Sequence, residues 1–374
     1  MKLLGRSVRT VALSGIALLA SGCATSGSGE RVMTPSSTSQ PFVAGYHVYW
    51  AEEAWIDYPF DALDELYFFE LEVDGLGGFL DRHGWATRWQ AMTARALDAG
   101  VQVTPTISMH DPEAFRALFP NALRVDLLIE NVVGLLDESP GVAGIHLDFE
   151  VFEAVDADVR DGFTGFVVAL AEELRVRHPT KALSVFALAF DDDDVYNERA
   201  LGRAVDYLVV QGYDYHSSGS GNAGPVAGLD GWGRLNWGTV LDRFENFGVP
   251  ASKIVMSVPL YGYEWPVVSD AGGATTRGMG ITVPYSAPPE MVGGSPSARD
   301  QAATHGMERD GESRTPWYRY QASDGWRQGW YEDAESLREK YEFARARGVG
   351  GIALFPLAYG DEEIWEGLRA AFAR

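Results

Sequence analysis

Gly141-Val-Ala-Gly-Ile-His-Leu-Asp-Phe-Glu150 is an apolar run that closes on two carboxylates two residues apart. In a β-strand alternate side chains share a face and each residue rises about 3.3 Å, so Asp148 and Glu150 point the same way with backbones about 7 Å apart. Like charges held that close in a poorly solvated cleft cannot both ionise cheaply, so one of the two keeps a proton near neutral pH. A retained proton is what a general acid needs. The same pattern also fits a strand end that carries two solvated acids, and the neighbouring segments have to decide between the two readings.

On either side of this run, from Phe42 onward, short β-branched or aromatic stretches alternate with amphipathic ones. The spacing predicts eight strands, near Val43 to Trp50, Leu66 to Val73, Val101 to Ser108, Val142 to Glu150, Leu183 to Ala189, Tyr207 to Tyr213, Ile254 to Tyr261 and Gly351 to Phe355. Between the third and fourth, Val125, Leu128, Ile129, Val132, Val133 and Leu136 fall on one face of a helix. Phe163, Phe166, Val167, Leu170 and Leu174 do the same after the fourth, and helices are also expected over Val240 to Phe247 and Ala334 to Arg347. Strands alternating with helices imply a parallel sheet, and right-handed crossovers over this length favour an α/β fold closed into a (β/α)8 TIM barrel, with a doubly wound open sheet as the alternative. Chemistry then belongs at the C-terminal strand ends, where Glu150 falls on strand four and Asp214 on strand six. The Gly, Pro and Ser-rich segment from about 267 to 327 is too long for a βα loop. It is expected to form a small insertion, or a lid, between strand seven and the last helix-strand unit.

Several of these segments together resemble glycoside hydrolase family 18, the chitinases and related endo-N-acetylglucosaminidases. The strand-four pattern of that family runs Asp-Gly-x-Asp-x-Asp-x-Glu, and Ala143-Gly-Ile-His146-Leu-Asp148-Phe-Glu150 matches its last two acids but not its first two. Gln211-Gly-Tyr-Asp-Tyr-His216 is similar to the strand-six Met-x-Tyr-Asp-Tyr and is followed by Gly224-Pro-Val-Ala. Lys253-Ile-Val-Met-Ser-Val-Pro-Leu-Tyr-Gly-Tyr-Glu-Trp265 resembles strand seven of the branch that cuts bacterial and spore cell walls. Asp333-Ala-Glu-Ser-Leu-Arg-Glu-Lys340 and Gly348-Val-Gly-Gly-Ile352 resemble the helix and strand that close the barrel, so the likeness runs from about Val43 to the C-terminus.

The resemblance implies hydrolysis of β-1,4-linked N-acetylglucosamine polysaccharide with retention, the substrate's acetamido oxygen acting as nucleophile in place of a second enzyme carboxylate. Glu150 would give the leaving oxygen its proton and later activate water, while an ionised Asp148 would hold the acetamide and keep Glu150 loaded. Tyr213 and Asp214 match residues that position the acetamido group, with Gln211 in place of methionine; alone, they would also fit a core aromatic pair beside a helix-capping Asp. Tyr46, Phe69, Tyr261 and Phe355 are expected as a sugar-stacking floor, though each also reads as barrel core, and the family usually carries Trp at the last of these positions. His146 replaces an acid or amide that shares protons with the next acid. It is predicted to hydrogen-bond Asp148 and to alter the pH profile, with filling of the barrel layer below as the alternative. Strand three ends Thr106-Ile-Ser-Met-His110, without the Gly-Gly of the family.

Composition narrows the partners. A net charge of -23 disfavours nucleic acid and anionic membrane, because phosphate binding needs clustered Lys and Arg. Lys2, Arg6 and Arg9, the apolar Val11 to Ala20 and then Ala20-Ser-Gly-Cys23 read as an export signal over residues 1–22. Cys23, the only cysteine, excludes a disulfide within the chain and resembles the lipidated residue of bacterial lipoproteins, although Ala20 stands where leucine is usual. Residues 23–41 read as a Ser, Thr and Gly-rich tether and 42–374 as the catalytic barrel, which gives an exported monomer anchored to the cell-envelope membrane, or a periplasmic or secreted one. Asp191 to Asp194 lack the spacing of a calcium loop and read as a solvated helix start. The seven histidines form no His-x-x-x-His or His-Glu-x-x-His, so neither metal nor cofactor is expected. Two functions fit: a glycosidase that cuts chitin or peptidoglycan, or a silent glycan-binding lectin on the same barrel.

Overall fold

Eight short apolar runs pair side by side in the computed structural model, which describes residues 41–287, 291 and 296–372. They are β1 (Phe42–Val48), β2 (Glu65–Val73), β3 (Gln102–Met109), β4 (Gly144–Phe149), β5 (Ala182–Ala187), β6 (Tyr207–Val210), β7 (Ile254–Pro259) and β8 (Gly351–Phe355). All eight are parallel, and pairing of β1 with both β8 and β2 closes the ring into a TIM barrel. Gly144 lets β4 and β5 meet, since a Cβ there would lie 2.1 Å from the carbonyl oxygen of Ala182.

The helical periodicities fold as read. Ala122–Glu138 starts at Asn121, whose side chain accepts from the Arg124 N–H, and buries Leu128, Val132, Val133 and Leu136. Ala157–Arg177 buries Phe163, Phe166, Val167, Leu170 and Leu174, with the first two rings against Phe149 of β4. Ala334–Arg347 opens with a reciprocal cap between Asp333 and Ser336 and stops at Gly348, which takes the left-handed φ of 68°. The β1–β2 connection carries a 3-10 segment, Tyr49–Asp57, in place of an α-helix.

Several boundaries differ from the sequence reading. The run Ile254 to Tyr261 is two strands in one apolar stretch: β7 ends at Pro259, and Tyr261–Val267 begins a separate antiparallel sheet. That sheet runs in the order 281–284, 261–267, 325–330, 316–322, 308–309 and packs with the helix Ala298–His305, so the insertion starts before residue 267 and extends through Trp330. A wholly buried ion pair, Lys340 to Glu332 at 2.6 Å, ties its end to the helix before β8. β6 stops at Val210, so Tyr213 lies beyond the strand. Asp191 to Asp194 form a turn and not a helix start, because Asn197 caps the helix Glu198–Ala204 while the Asp191 carboxylate accepts from the N–H groups of Val195 and Tyr196.

Residues 1–40, with the expected signal, Cys23 and nearly all of the tether, lie outside the described residues. Among those described, no helix is long and apolar enough to cross a membrane.

Candidate active site

The carboxyl end of β4 presents the acid pair. Asp148 is 3% exposed, and Glu150 follows the last strand residue with its N–H still bonded to the Met109 carbonyl at 3.0 Å. The Glu150 side chain is 20% exposed, so it reaches the mouth. Both acids act on the same phenols, Tyr46 and Tyr213, and on His110, which places them in one space as the strand parity predicts. Burial pushes the Glu150 carboxyl up to about 7. Burial first, and then the charge of Glu150, push Asp148 well above the usual carboxylate range, and its Oδ1 has no hydrogen-bond partner. The sequence reading is therefore inverted on one point: desolvation keeps Glu150 loaded, and the mutual repulsion falls on Asp148, the deeper acid.

His146 does not bond Asp148. Its Nε2 lies 2.9 Å from the Tyr46 hydroxyl and its Nδ1 2.9 Å from Ser184 Oγ, with the ring stacked on Tyr67 at 4.7 Å between centroids. It is the barrel-layer residue of the alternative reading, and burial lowers its pKa to about 3, so it stays neutral. Tyr46 is likewise corrected: at 1% exposed, two residues short of the end of β1, it supports His146 from inside the barrel and is no surface for a sugar.

Beyond β6, Gly212 approaches β7 so closely that a Cβ would meet the Ser257 carbonyl oxygen at 2.0 Å, and its own carbonyl accepts from Trp237 Nε1 at 2.8 Å. This anchor sets Tyr213 and then Asp214, whose φ of 59° is left-handed, a conformation that Asp tolerates better than most residues. Tyr261 Oη donates to Asp214 Oδ1 at 2.8 Å. Burial raises Asp214 to about 6 against the hydrogen bonds from Tyr261 and Tyr263. Gln211 spends its side-chain oxygen on the Ala189 N–H at 3.3 Å, which pins β6 to the end of β5.

Phe355 sits at the hub of the predicted aromatics. Its ring is nearly parallel to Tyr213 at 6.1 Å and meets Phe69 edge-on at 5.8 Å, Tyr261 at 6.5 Å and Tyr46 at 5.4 Å. Phe69, Tyr213 and Tyr261 are each buried to nine-tenths or more, while Phe355 is half-buried.

Three site residues escaped the sequence reading. His110, just past β3, donates from Nε2 to Glu70 Oε2 at 2.9 Å, and its Nδ1 lies 3.9 Å from Glu150 Oε1. Tyr196 bonds the backbone on both sides of Glu150. The absence of Gly-Gly after strand three was the one signal that this wall is built differently. Glu70 also lies near Glu72 and His83, and here Glu70 is bonded to His110 and Glu72 to His83 at 3.1 Å.

The sequence model described as glycosyl hydrolases family 18 matches residues 58–360. The chain is 28% identical over 242 residues to the Bacillus subtilis (strain 168) protein YdhD, covering 62% of this chain and 51% of that one. It is 26% identical over 229 residues to the cortical fragment-lytic enzyme of the same organism, covering 60% and 48%. It thus spans about half the length of these curated relatives. The spore cortex-lytic enzyme SleL of Bacillus cereus superposes with a TM-score of 0.71 at 18% identity, covering 89% of this chain and 75% of that one. With its barrel, its strand-four acids and its strand-six Tyr-Asp in place, the chain belongs to glycosyl hydrolase family 18.

Proposed function

We propose that this protein is a glycosidase that cleaves β-1,4-linked N-acetylglucosamine polysaccharide, chitin or peptidoglycan, by a retaining, substrate-assisted mechanism. The observation that carries the reading is the desolvated acid pair at the end of β4, with a carboxyl of pKa about 7 at the mouth and an unpartnered Asp148 oxygen beneath it. Glu150 protonates the leaving oxygen and then takes a proton from water. Asp148, in its ionised form, accepts the acetamide N–H at its free oxygen, and its charge stabilises the oxazolinium-like intermediate. Asp214, gripped by Tyr261, and Tyr213 position the acetamido carbonyl. The relationship to a cortical fragment-lytic enzyme supports a cell-wall glycan.

The test is incubation of the wild type and Glu150→Gln with chitin oligosaccharides and with purified sacculi, with products read by mass spectrometry. New reducing ends from the wild type alone support the proposal. Binding by both proteins with cutting by neither overturns it in favour of a lectin.

The leader supports a further element of the reading, export and lipid anchoring at Cys23. Metabolic labelling with a palmitate analogue in a bacterial host should mark the wild type and not Cys23→Ala; an unlabelled wild type would remove the anchor from the proposal.

A further inference from the structure

The resemblance places a carboxylate or amide two residues before Asp148, where protons are shared down strand four. In this chain His146 stands there, closed off by Tyr46 and Ser184, and Asp148 receives nothing from below. A different group faces the acid pair from the side. His110 is held between two carboxylates: Glu70 at 2.9 Å from one ring nitrogen and Glu150 at 3.9 Å from the other. Glu70 is itself buried, 7% exposed at its side chain, and comes from β2, so the clamp joins three neighbouring strand ends. An imidazole bonded through one nitrogen to a buried carboxylate, with a second carboxylate 3.9 Å from the other nitrogen, is favoured in its cationic form.

We infer that His110, clamped by Glu70, is a positioning residue that supplies the Asp148–Glu150 pair with its positive counter-charge, in place of the proton sharing that His146 has removed from strand four. The inference rests on Glu150 being the proton donor proposed above. The charges that act on Glu150 come from His110 past β3, Asp214 past β6 and Glu70 on β2, and the phenols of Tyr46, Tyr196 and Tyr213 face it as well. Of these groups His110 alone is cationic. Burial pulls its proton off, but the bond to Glu70 and the charges of Asp148, Glu70 and Glu150 outweigh burial and raise it to about 9. A cation within about 4–6 Å lowers a carboxyl pKa by about one to three units. His110 therefore offsets part of the upward push on both acids.

The test uses His110→Gln, Glu70→Gln, Glu150→Gln and the wild type, with thermal melts as the control for folding. Imidazole NMR, with the resonance assigned by its loss in His110→Gln, reads the clamp without any activity. His110 should titrate above pH 8 in the wild type and fall by about one unit or more in Glu70→Gln, with a smaller fall in Glu150→Gln. In the pH dependence of kcat/KM on whichever glycan the wild type cuts, His110→Gln should move the whole bell to higher pH, whereas Glu70→Gln, which also removes a negative charge that raises both acids, should not. The loss of rate should be greatest at the acid end, and His110→Lys should restore part of it. Titration of His110 near its ordinary value, or a loss of rate by the same factor at every pH, overturns the inference. A wild type that cuts no glycan while His110 still titrates high and responds to Glu150→Gln sinks the glycosidase reading and leaves the charge clamp standing.

Discussion

Tyr196 donates its hydroxyl to the carbonyl of Phe149 at 2.6 Å. The same oxygen accepts the Val151 N–H at 2.8 Å, so one phenol bridges the backbone on both sides of Glu150. Asp191 in turn holds Tyr196 and Val195 by their N–H groups, which gives the acidic turn after β5 a task at the site. Tyr196→Phe leaves a buried carbonyl and a buried N–H without partners. We expect a stability loss of about 1–3 kcal/mol in urea melts and a fall in kcat of about tenfold, since a positioned acid tolerates little displacement.

As the proposed proton donor, Glu150 should set the alkaline limb of activity. With its carboxyl at about 7, kcat/KM should decline as pH rises through that value, because the donor loses its proton. Glu150→Gln should lower kcat by a factor of about 10² to 10⁴ in initial-rate assays on the same glycan.

The same residue leaves a trace in stability. A glutamate whose folded pKa lies above its unfolded one binds more protons when folded, so the wild type should lose stability between the usual glutamate value and about pH 7, then level off. Glu150→Gln removes that loss. Denaturant curves should show the variant gaining on the wild type by about 3 kcal/mol between pH 4 and pH 8; parallel curves would contradict the raised carboxyl.

His146 should be silent in catalysis and loud in folding. Its ring is neutral above pH 4 or so, hence His146→Gln should leave the shape of the pH profile between 5 and 9 as it is. His146→Ala strands the Tyr46 hydroxyl and Ser184 Oγ and opens a cavity, with an expected cost of about 2–5 kcal/mol in thermal or urea melts.

Lys340→Met tests the buried joint between the insert and the barrel. It leaves the buried Glu332 without its counter-charge, and we expect a loss of about 3–5 kcal/mol, partly recovered in the double variant Lys340→Met, Glu332→Gln.

The barrel was legible in the chain because each strand writes its own short apolar run and each crossover helix its own stripe, as Phe163 to Leu174 did. The acid pair was legible because Asp148 and Glu150 lie two residues apart on one strand, and parity does the geometry. Glu70 and His110 were not, since residues forty positions apart meet only through the pairing of β2 with β3, which no local spacing encodes. His146 was misjudged for a related reason: parity put it on the face of Asp148, but depth in the barrel decided its partners, and depth depends on Tyr46 and Ser184 from other strands. The start of the insert was hidden because Tyr261 continues the apolar pattern of β7 without a break.

Tyr261 and Tyr263 belong to the inserted sheet, yet both reach back to Asp214 at the end of β6. An insert exchanged from a relative must therefore bring two phenols to the same spots or leave that carboxyl unheld. The tip of the sixth barrel strand and the first strand of the insert are in effect one inherited unit, and across the family their sequences should drift together.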